Sequence, residues 1–112
     1  MSRTVRVEYE ISNELLESIS ITASEGGINY WADIEYGMIT GIADDELDSP
    51  VDLFDLGMIK EGIEFALSGK YCNDRIRGYI LNAVVDDDAC HIDADAADVI
   101  VQLAVFKGLV YA

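Results

Sequence analysis

The single histidine and the two cysteines are the residues of this chain best suited to nucleophilic or metal chemistry. His91 directly follows Cys90, but neighbouring residues of an extended strand point to opposite faces, so a Cys/His catalytic pair is not favoured. Cys72 forms no CxxC motif with Cys90, and the spacing of these three residues and Asp93 matches no compact zinc signature. The pattern predicts two free thiols, as in a reducing cytosol, and no metal site.

Two acidic runs, "DDD" at 86–88 and "DADAAD" at 93–98, carry ligand types that calcium or magnesium prefers. The EF-hand pattern fails, however, because its sixth position lacks glycine and its twelfth lacks glutamate. An acidic loop followed by a helix whose N-terminus attracts acids is the favoured interpretation. The P-loop, the dinucleotide fingerprint and HExxH are also absent from the sequence. We therefore expect a non-enzymatic protein without a cofactor.

The stretch "EGGINYW" at 25–31 allows two interpretations. In the first, it lines a small-molecule pocket whose phosphates are neutralised by a basic residue. The residues of that pocket would be Gly26, Gly27, Asn29, Tyr30 and Trp31, with Arg75, Arg77 or Lys70 as the base. In the second, the glycines end a helix and the aromatic pair serves the fold. We favour a core position for Trp31 and leave the role of Tyr30 open.

The charge of the chain is its strongest signal. It has 22 acidic residues against seven Lys and Arg, for a net charge of −15, and no Lys or Arg occurs between Arg6 and Lys60. Such a surface repels nucleic acid and anionic membranes and steers towards basic partners. Solubility alone is the competing explanation, but so long a stretch without a base fits it less well. The acids expected to contact a partner are Asp33, Glu35, Asp44, Asp45, Glu46, Asp48 and Asp52.

The length of the chain predicts one compact domain, 1–112. About half of its residues are apolar, which is enough for a core that positions the residues named above. Alternation predicts strands at 4–9 and at 32–36, where Ala32, Ile34 and Tyr36 face inward. Residues 37–50 are expected to begin as strand or turn and to become an acidic loop. A short edge strand at 51–53 follows, because Pro50 stands just ahead of it.

Capping residues and apolar spacing predict the helices. We expect them to begin after Asn13, Asp55 and Asn73, and after either Asp93 or Asp95. Their predicted ends are Gly26 or Gly27 in a left-handed C′ position, then about Leu67, Val85 and Lys107, with Gly69 and Gly108 as stops. Strands early and helices late predict an α+β fold, a small antiparallel sheet with about four helices packed on one face.

The last helix, "DVIVQLAVF", is apolar nearly all the way round, which suggests a homodimer formed through it. No apolar run reaches the roughly 18 residues that a membrane span needs. The first residues alternate in polarity and have no apolar core, so no signal peptide is expected.

The blocks "EGGINYW" and "DADAADVIVQLAVFKGLVY", at 25–31 and 93–111, resemble small acidic proteins encoded by phages, prophages and mobile elements. That family carries a Glu-Gly-Gly-x-x-Tyr-Trp stretch and a C-terminal Asp-Val-Ile-x-Gln-Leu-Ala helix. It has no established activity. The resemblance implies a phage-like origin and work in the cytoplasm of an infected or lysogenic bacterium. Small phage proteins are often inhibitors of host defence, an expectation by analogy.

Three functions are compatible with these observations. The first is an anti-CRISPR or anti-restriction inhibitor that mimics DNA, presenting acids to the basic surface of a host nucleic-acid-binding complex without binding nucleic acid itself. The second is a module that sequesters a nucleotide defence signal in the Gly/Tyr/Trp pocket. The third is an acidic phage accessory protein with another partner. The acids favour the first.

Overall fold

The computed structural model describes residues 3, 8–68 and 72–111. Within them it contains four α-helices and a three-stranded antiparallel sheet, which confirms the predicted α+β fold. The elements are α1 (Asn13–Thr22), a π-helical turn (Ala23–Gly27), β1 (Ala32–Glu35), β2 (Met38–Ile42), β3 (Asp45–Asp52), α2 (Leu56–Leu67), α3 (Asp74–Asp86), a 3₁₀ turn (Ala89–His91) and α4 (Ala94–Phe106). The strand predicted at 4–9 falls largely on residues outside the described part, as do Gly69 and Lys70.

The core is built around α4, which contacts α1, α2 and α3. Its closest neighbour is α2, where a Cβ on Gly62 would lie 2.3 Å from the backbone oxygen of Ile100. The apolar residues of α4 are therefore covered by helices of the same chain, and α4 is apolar on several sides because it is central. Its composition no longer supports the predicted homodimer through this helix.

Helix starts follow the capping residues closely. Asp55, Asn73 and Asp93 each accept a backbone N–H in the first turn of α2, α3 and α4, as predicted. The cap of α1 is Ser12 instead of Asn13, because the Ser12 hydroxyl accepts the N–H of Leu15 at 3.1 Å. A long-range contact selects this residue.

That long-range contact comes from the end of α3. Asp87 accepts both the backbone N–H of Ser12 at 2.9 Å and its hydroxyl at 3.1 Å. Local capping preference alone does not distinguish serine from asparagine at this place, so the predicted cap was wrong by one residue.

The predicted glycine C′ cap of the first helix is also wrong. α1 runs on into the π-helical turn, which closes when the N–H of Ile28 donates to the oxygen of Ala23 at 3.1 Å. Gly26 has φ 160°, outside the left-handed helical region. A Cβ on Gly27 would lie 3.0 Å from the backbone oxygen of Ala94, so this position leaves little room for a side chain.

The sheet is a meander, β1–β2–β3, with two tight turns. Tyr36 and Gly37 have φ of 52° and 75°, and Ala43 and Asp44 have φ of 51° and 69°, as type I′ hairpin turns require. Tyr36 therefore projects fully into solvent, and its predicted inward position is wrong. The predicted acidic loop is likewise a hairpin. Its β3 strand bulges at 47–50, where pairing with β2 shifts register.

Candidate functional site

The sheet gathers carboxylates on one face. Two rows of paired residues cross the three strands. The first row is Asp33, Gly41 and Glu46, and the second row is Glu35, Met38 and Asp52. Directly paired residues point to the same side of a sheet, and alternate residues of a strand share a face. The two rows therefore lie on one face, and all four of its carboxylate residues are exposed. We call Asp33, Glu35, Glu46 and Asp52 the acidic face.

A cleft of about 520 Å³ lies on this face. It is lined by Asp33, Ile34, Glu35, Thr40, Gly41, Asp44, Glu46, Leu47 and Pro50. Asp44, at the turn between β2 and β3, thus joins three residues of the acidic face. Gly41 is buried, and a Cβ on it would lie 2.8 Å from Oδ2 of Asp33, so this glycine leaves room for the Asp33 carboxylate above β2.

Two of the predicted contact acids do not join this arrangement. Asp45 pairs with Ile42 in the row of Ala32, which belongs to the opposite face of the sheet. Asp48 lies in the bulge of β3, outside the cleft lining. Strand pairing therefore groups Asp33, Glu35, Glu46 and Asp52, the cleft adds Asp44, and Asp45 and Asp48 lie apart from them.

No cation neutralises the acidic face within the part of the chain that the structure describes. The ion pairs found there all join helical segments: Lys60–Glu64, Arg75–Asp95, Arg77–Asp74, His91–Asp86 and Lys107–Glu61. On the face itself, Asp52 accepts only a local bond, from the N–H of Phe54 at 2.9 Å. Among the described residues, no ion pair therefore compensates the field of these carboxylates.

The spacing of the two rows can be compared with that of DNA phosphates. Adjacent strands lie about 4.8 Å apart, so the two acids of one row stand about 10 Å apart, and Asp33 and Glu35 lie about 7 Å apart along β1. Along β1 this gives one charge per about 7 Å, against one per about 3.4 Å on one strand of duplex DNA. The whole duplex carries about twice that density.

The aromatic pair of "EGGINYW" contacts its own fold. Trp31 is buried, and its Nε1–H donates to Oδ1 of Asp98 at 2.8 Å, which confirms the predicted core position. The Tyr30 hydroxyl donates to Oδ2 of the same carboxylate at 2.5 Å. Burial, then the hydrogen bond and charge of Asp98, raise the pKa of Tyr30 to about 12. The Tyr30 side chain thus has a structural partner.

The other residues proposed for a nucleotide pocket do not assemble around a phosphate site. Asn29 lines a cleft of about 600 Å³ that also contains Ser24, Ala32, Asp33, Ile34, Gly37 and Phe54, and its charged lining residue is an acid. Arg75 lies 3.8 Å from Asp95, and Arg77 lies 4.0 Å from Asp74. Both arginines are therefore already beside carboxylates, and the Asn29 cleft opposes an anion.

Sequence patterns did not identify Asp98 and Gln102 as the partners of the aromatic pair. Gln102 is buried in α4, and its Nε2–H donates to Oδ1 of Asp98 at 2.9 Å. The available signal was a polar pair at i,i+4 spacing within an otherwise apolar helix. Such a pair indicates a buried hydrogen-bond network, although it does not say which distant residues complete that network.

The described residues contain neither a cluster suited to a metal ion nor a helix suited to span a membrane. No group of three or more His, Cys, Asp or Glu side chains there is arranged to hold a metal ion. His91 instead contacts Asp86 at 2.9 Å. None of the helices in this part is both long enough and apolar enough to cross a membrane.

Comparison with known proteins adds no assignment. No protein-family model, curated protein or solved structure matches the chain. The geometry and charge of the acidic face are therefore the features from which a function is inferred.

Proposed function

We propose that this protein is a non-enzymatic inhibitor that presents its acidic face to the basic surface of a nucleic-acid-binding protein. The observation that carries the proposal is the pair of carboxylate rows on one side of the sheet, with no ion-pair partner among the described residues. Because it groups four carboxylates with no ion-pair partner among the described residues, the face competes for a groove that normally holds phosphates. The biological setting proposed is anti-CRISPR or anti-restriction activity in the cytoplasm of an infected or lysogenic bacterium.

Rigid presentation supports this proposal over a purely solubilising role for the acids. Charges that serve solubility need no fixed spacing, whereas these lie on a sheet whose register is set by two tight turns. The buried Gly41 further clears a position for the Asp33 carboxylate. A sheet that already holds these residues in place loses less backbone entropy when it meets a partner.

The test is competition for DNA. Labelled duplex bound to restriction nucleases, and to RNA-guided nuclease complexes, is titrated with the protein while fluorescence anisotropy is measured. We expect displacement from at least one of these enzymes, competitive with unlabelled duplex. The inhibition constant should weaken by at least about tenfold between about 50 and 300 mM salt, because each carboxylate contact is screened.

A matched pair of variants separates the acidic face from total charge. Asp33→Asn/Glu35→Gln/Glu46→Gln/Asp52→Asn neutralises the face, and Glu8→Gln/Glu10→Gln/Glu17→Gln/Glu25→Gln removes the same charge from exposed residues elsewhere. Inhibition should be lost in the first variant and retained in the second. Equal weakening in both, or inhibition that ignores salt, would contradict the proposal.

A further inference from the structure

Residues 108–111, which follow α4, are held by a buried side-chain amide. Oε1 of Gln102 accepts the N–H groups of Val110 and Tyr111, both at 2.9 Å. Nε2 of Gln102 donates to the backbone oxygen of Tyr111, also at 2.9 Å. The amide therefore pairs with both polar backbone groups of Tyr111, as a neighbouring strand would.

The ring of Tyr111 covers Trp31. The two rings stack with centroids 5.5 Å apart and planes within 4°. Phe106 contacts the same indole at 5.3 Å in a tilted arrangement. Together with the Asp98 bond to its Nε1, these contacts fix the indole on both its apolar and its polar sides.

Trp31 in turn connects the helices to the base of the sheet. Its backbone oxygen accepts the N–H of Ala43, in the β2–β3 turn, at 2.9 Å. Its own N–H donates to the oxygen of Ile28, next to the π-helical turn, at 3.1 Å. The Trp31 side chain is thus fixed in the helical core, while its main chain binds the β2–β3 hairpin at Ala43.

We propose that residues 108–111 form a strap that closes over Trp31 and locks the three-stranded sheet onto the helices. The strap is detachable, because Leu109 and Val110 leave their side chains exposed. Its attachment rests on Gln102, on the Tyr111 ring and on a 3.4 Å bond from the Tyr30 hydroxyl to the oxygen of Tyr111. The left-handed Lys107, with φ 58°, marks its hinge at the end of α4. This lock holds whether or not the acidic face binds a partner.

The experiment compares Tyr111→Ala with Tyr111→Phe and with Tyr36→Ala. The phenylalanine variant keeps the stacking ring, and the third variant removes a fully exposed tyrosine from a turn. Trp31 is the only tryptophan, so its emission reports the strap directly. Amide hydrogen exchange at Ala43 reports the lock, and amides within α2 report global stability.

We expect Tyr111→Ala to shift the Trp31 emission to the red and to speed exchange at Ala43 by about fivefold, with little change in α2. The two control variants should match the wild type in both measurements. Gln102→Glu should also shift the Trp31 emission to the red, because it replaces an amide donor with a carboxylate beside Asp98.

Two results would overturn the strap. One is an unshifted emission in Tyr111→Ala together with unchanged exchange at Ala43. The other is faster exchange by the same factor at Ala43 and throughout α2, which would make Tyr111 an ordinary contributor to global stability. Neither result depends on an unknown partner, so failure of the strap and failure of the proposed inhibition are distinguishable.

Discussion

Trp31 donates its Nε1–H to Asp98 across 2.8 Å, and this bond joins the entrance of β1 to the middle of α4. The same carboxylate accepts from the hydroxyl of Tyr30 and from the side-chain amide of Gln102. Three donors therefore converge on one half-buried acid. This convergence explains the Tyr–Trp pair, of which the sequence left the role of Tyr30 open, as a clamp between residues 30–31 and α4.

The first prediction concerns the acid of this clamp. Asp98→Asn should lower the free energy of unfolding by about 1–3 kcal/mol, because an amide offers one acceptor where the carboxylate offered two, and its nitrogen faces a donor. Urea denaturation monitored by Trp31 fluorescence measures the change.

Asp95→Asn is the matched control for Asp98→Asn. Asp95 lies one turn earlier on α4 and is exposed beside Arg75. Its replacement should change stability by no more than about 0.5 kcal/mol. Losses of the same size in both variants would show that the clamp has no special role.

The second prediction concerns the ionisation of Tyr30. Its pKa is raised to about 12 in the folded protein, against about 10 for an unfolded tyrosine. The folded state therefore keeps this proton at pH values where the unfolded state loses it. The resulting stabilisation is complete below about pH 10 and is lost as the pH rises towards about 12.

An absorbance titration of the phenolate band tests this prediction. The Tyr30 phenol should ionise late, and Tyr30→Phe should remove that step. Tyr36→Phe, at an exposed turn, should retain it. A late step that survives Tyr30→Phe would assign the raised pKa to another residue.

Local signals sufficed to predict the helices, because caps and apolar stripes are properties of neighbouring residues. Asp55 and Asn73 cap the helices predicted from them, and the apolar face of α3, formed by Ile76, Ile80, Ala83 and Val84, is buried. The hairpin was harder to predict because β3 is rich in acids and contains Pro50. Those residues disfavour strands on average, and β3 pairs regardless since β2 beside it supplies the apolar inner row with Ile39.

The acidic character of the candidate site was predicted from the sequence, but only some of its residues were. Net charge identified the acids, but which of them share a face depends on register, and register depends on the two turns and the bulge. Asp45 and Asp48 illustrate the limit, because each is separated from the acidic face by its place in β3. The role of Asp98 could not be predicted for a different reason, because Tyr30 and Trp31, which it binds, lie far away in the chain.

The third prediction concerns the contact between α2 and α4. In Gly62→Ala, the new Cβ would lie 2.3 Å from the oxygen of Ile100 and 3.1 Å from Cβ of Ala104, so the helices must separate. We expect a loss of about 3 kcal/mol. Gly78→Ala in α3 meets nothing within 4 Å and should gain about 0.5–1 kcal/mol from helix propensity. Thermal and urea unfolding measure both, and a tolerated Gly62→Ala would contradict this packing.

The fourth prediction concerns the stability cost of the acidic face. Two like charges about 10 Å apart in water repel by about 0.4 kcal/mol, and Asp33, Glu35, Glu46 and Asp52 contribute several such pairs. Replacing all four by Asn or Gln should therefore raise the free energy of unfolding by about 1 kcal/mol at about 10 mM salt. The gain should vanish near 1 M salt, where the screening length is about 3 Å.

Urea is the denaturant to use for this measurement, because it leaves ionic strength unchanged. Neutralising Glu8, Glu10, Glu17 and Glu25 removes equal charge from exposed residues outside the sheet, so the gain there should be smaller. A gain that persists at high salt, or that is equal in the two variants, would mean that the four acids do not repel one another as a group. A salt-dependent gain confined to the acidic face would show that the chain retains these charges against its own stability, as expected of a surface that serves a partner.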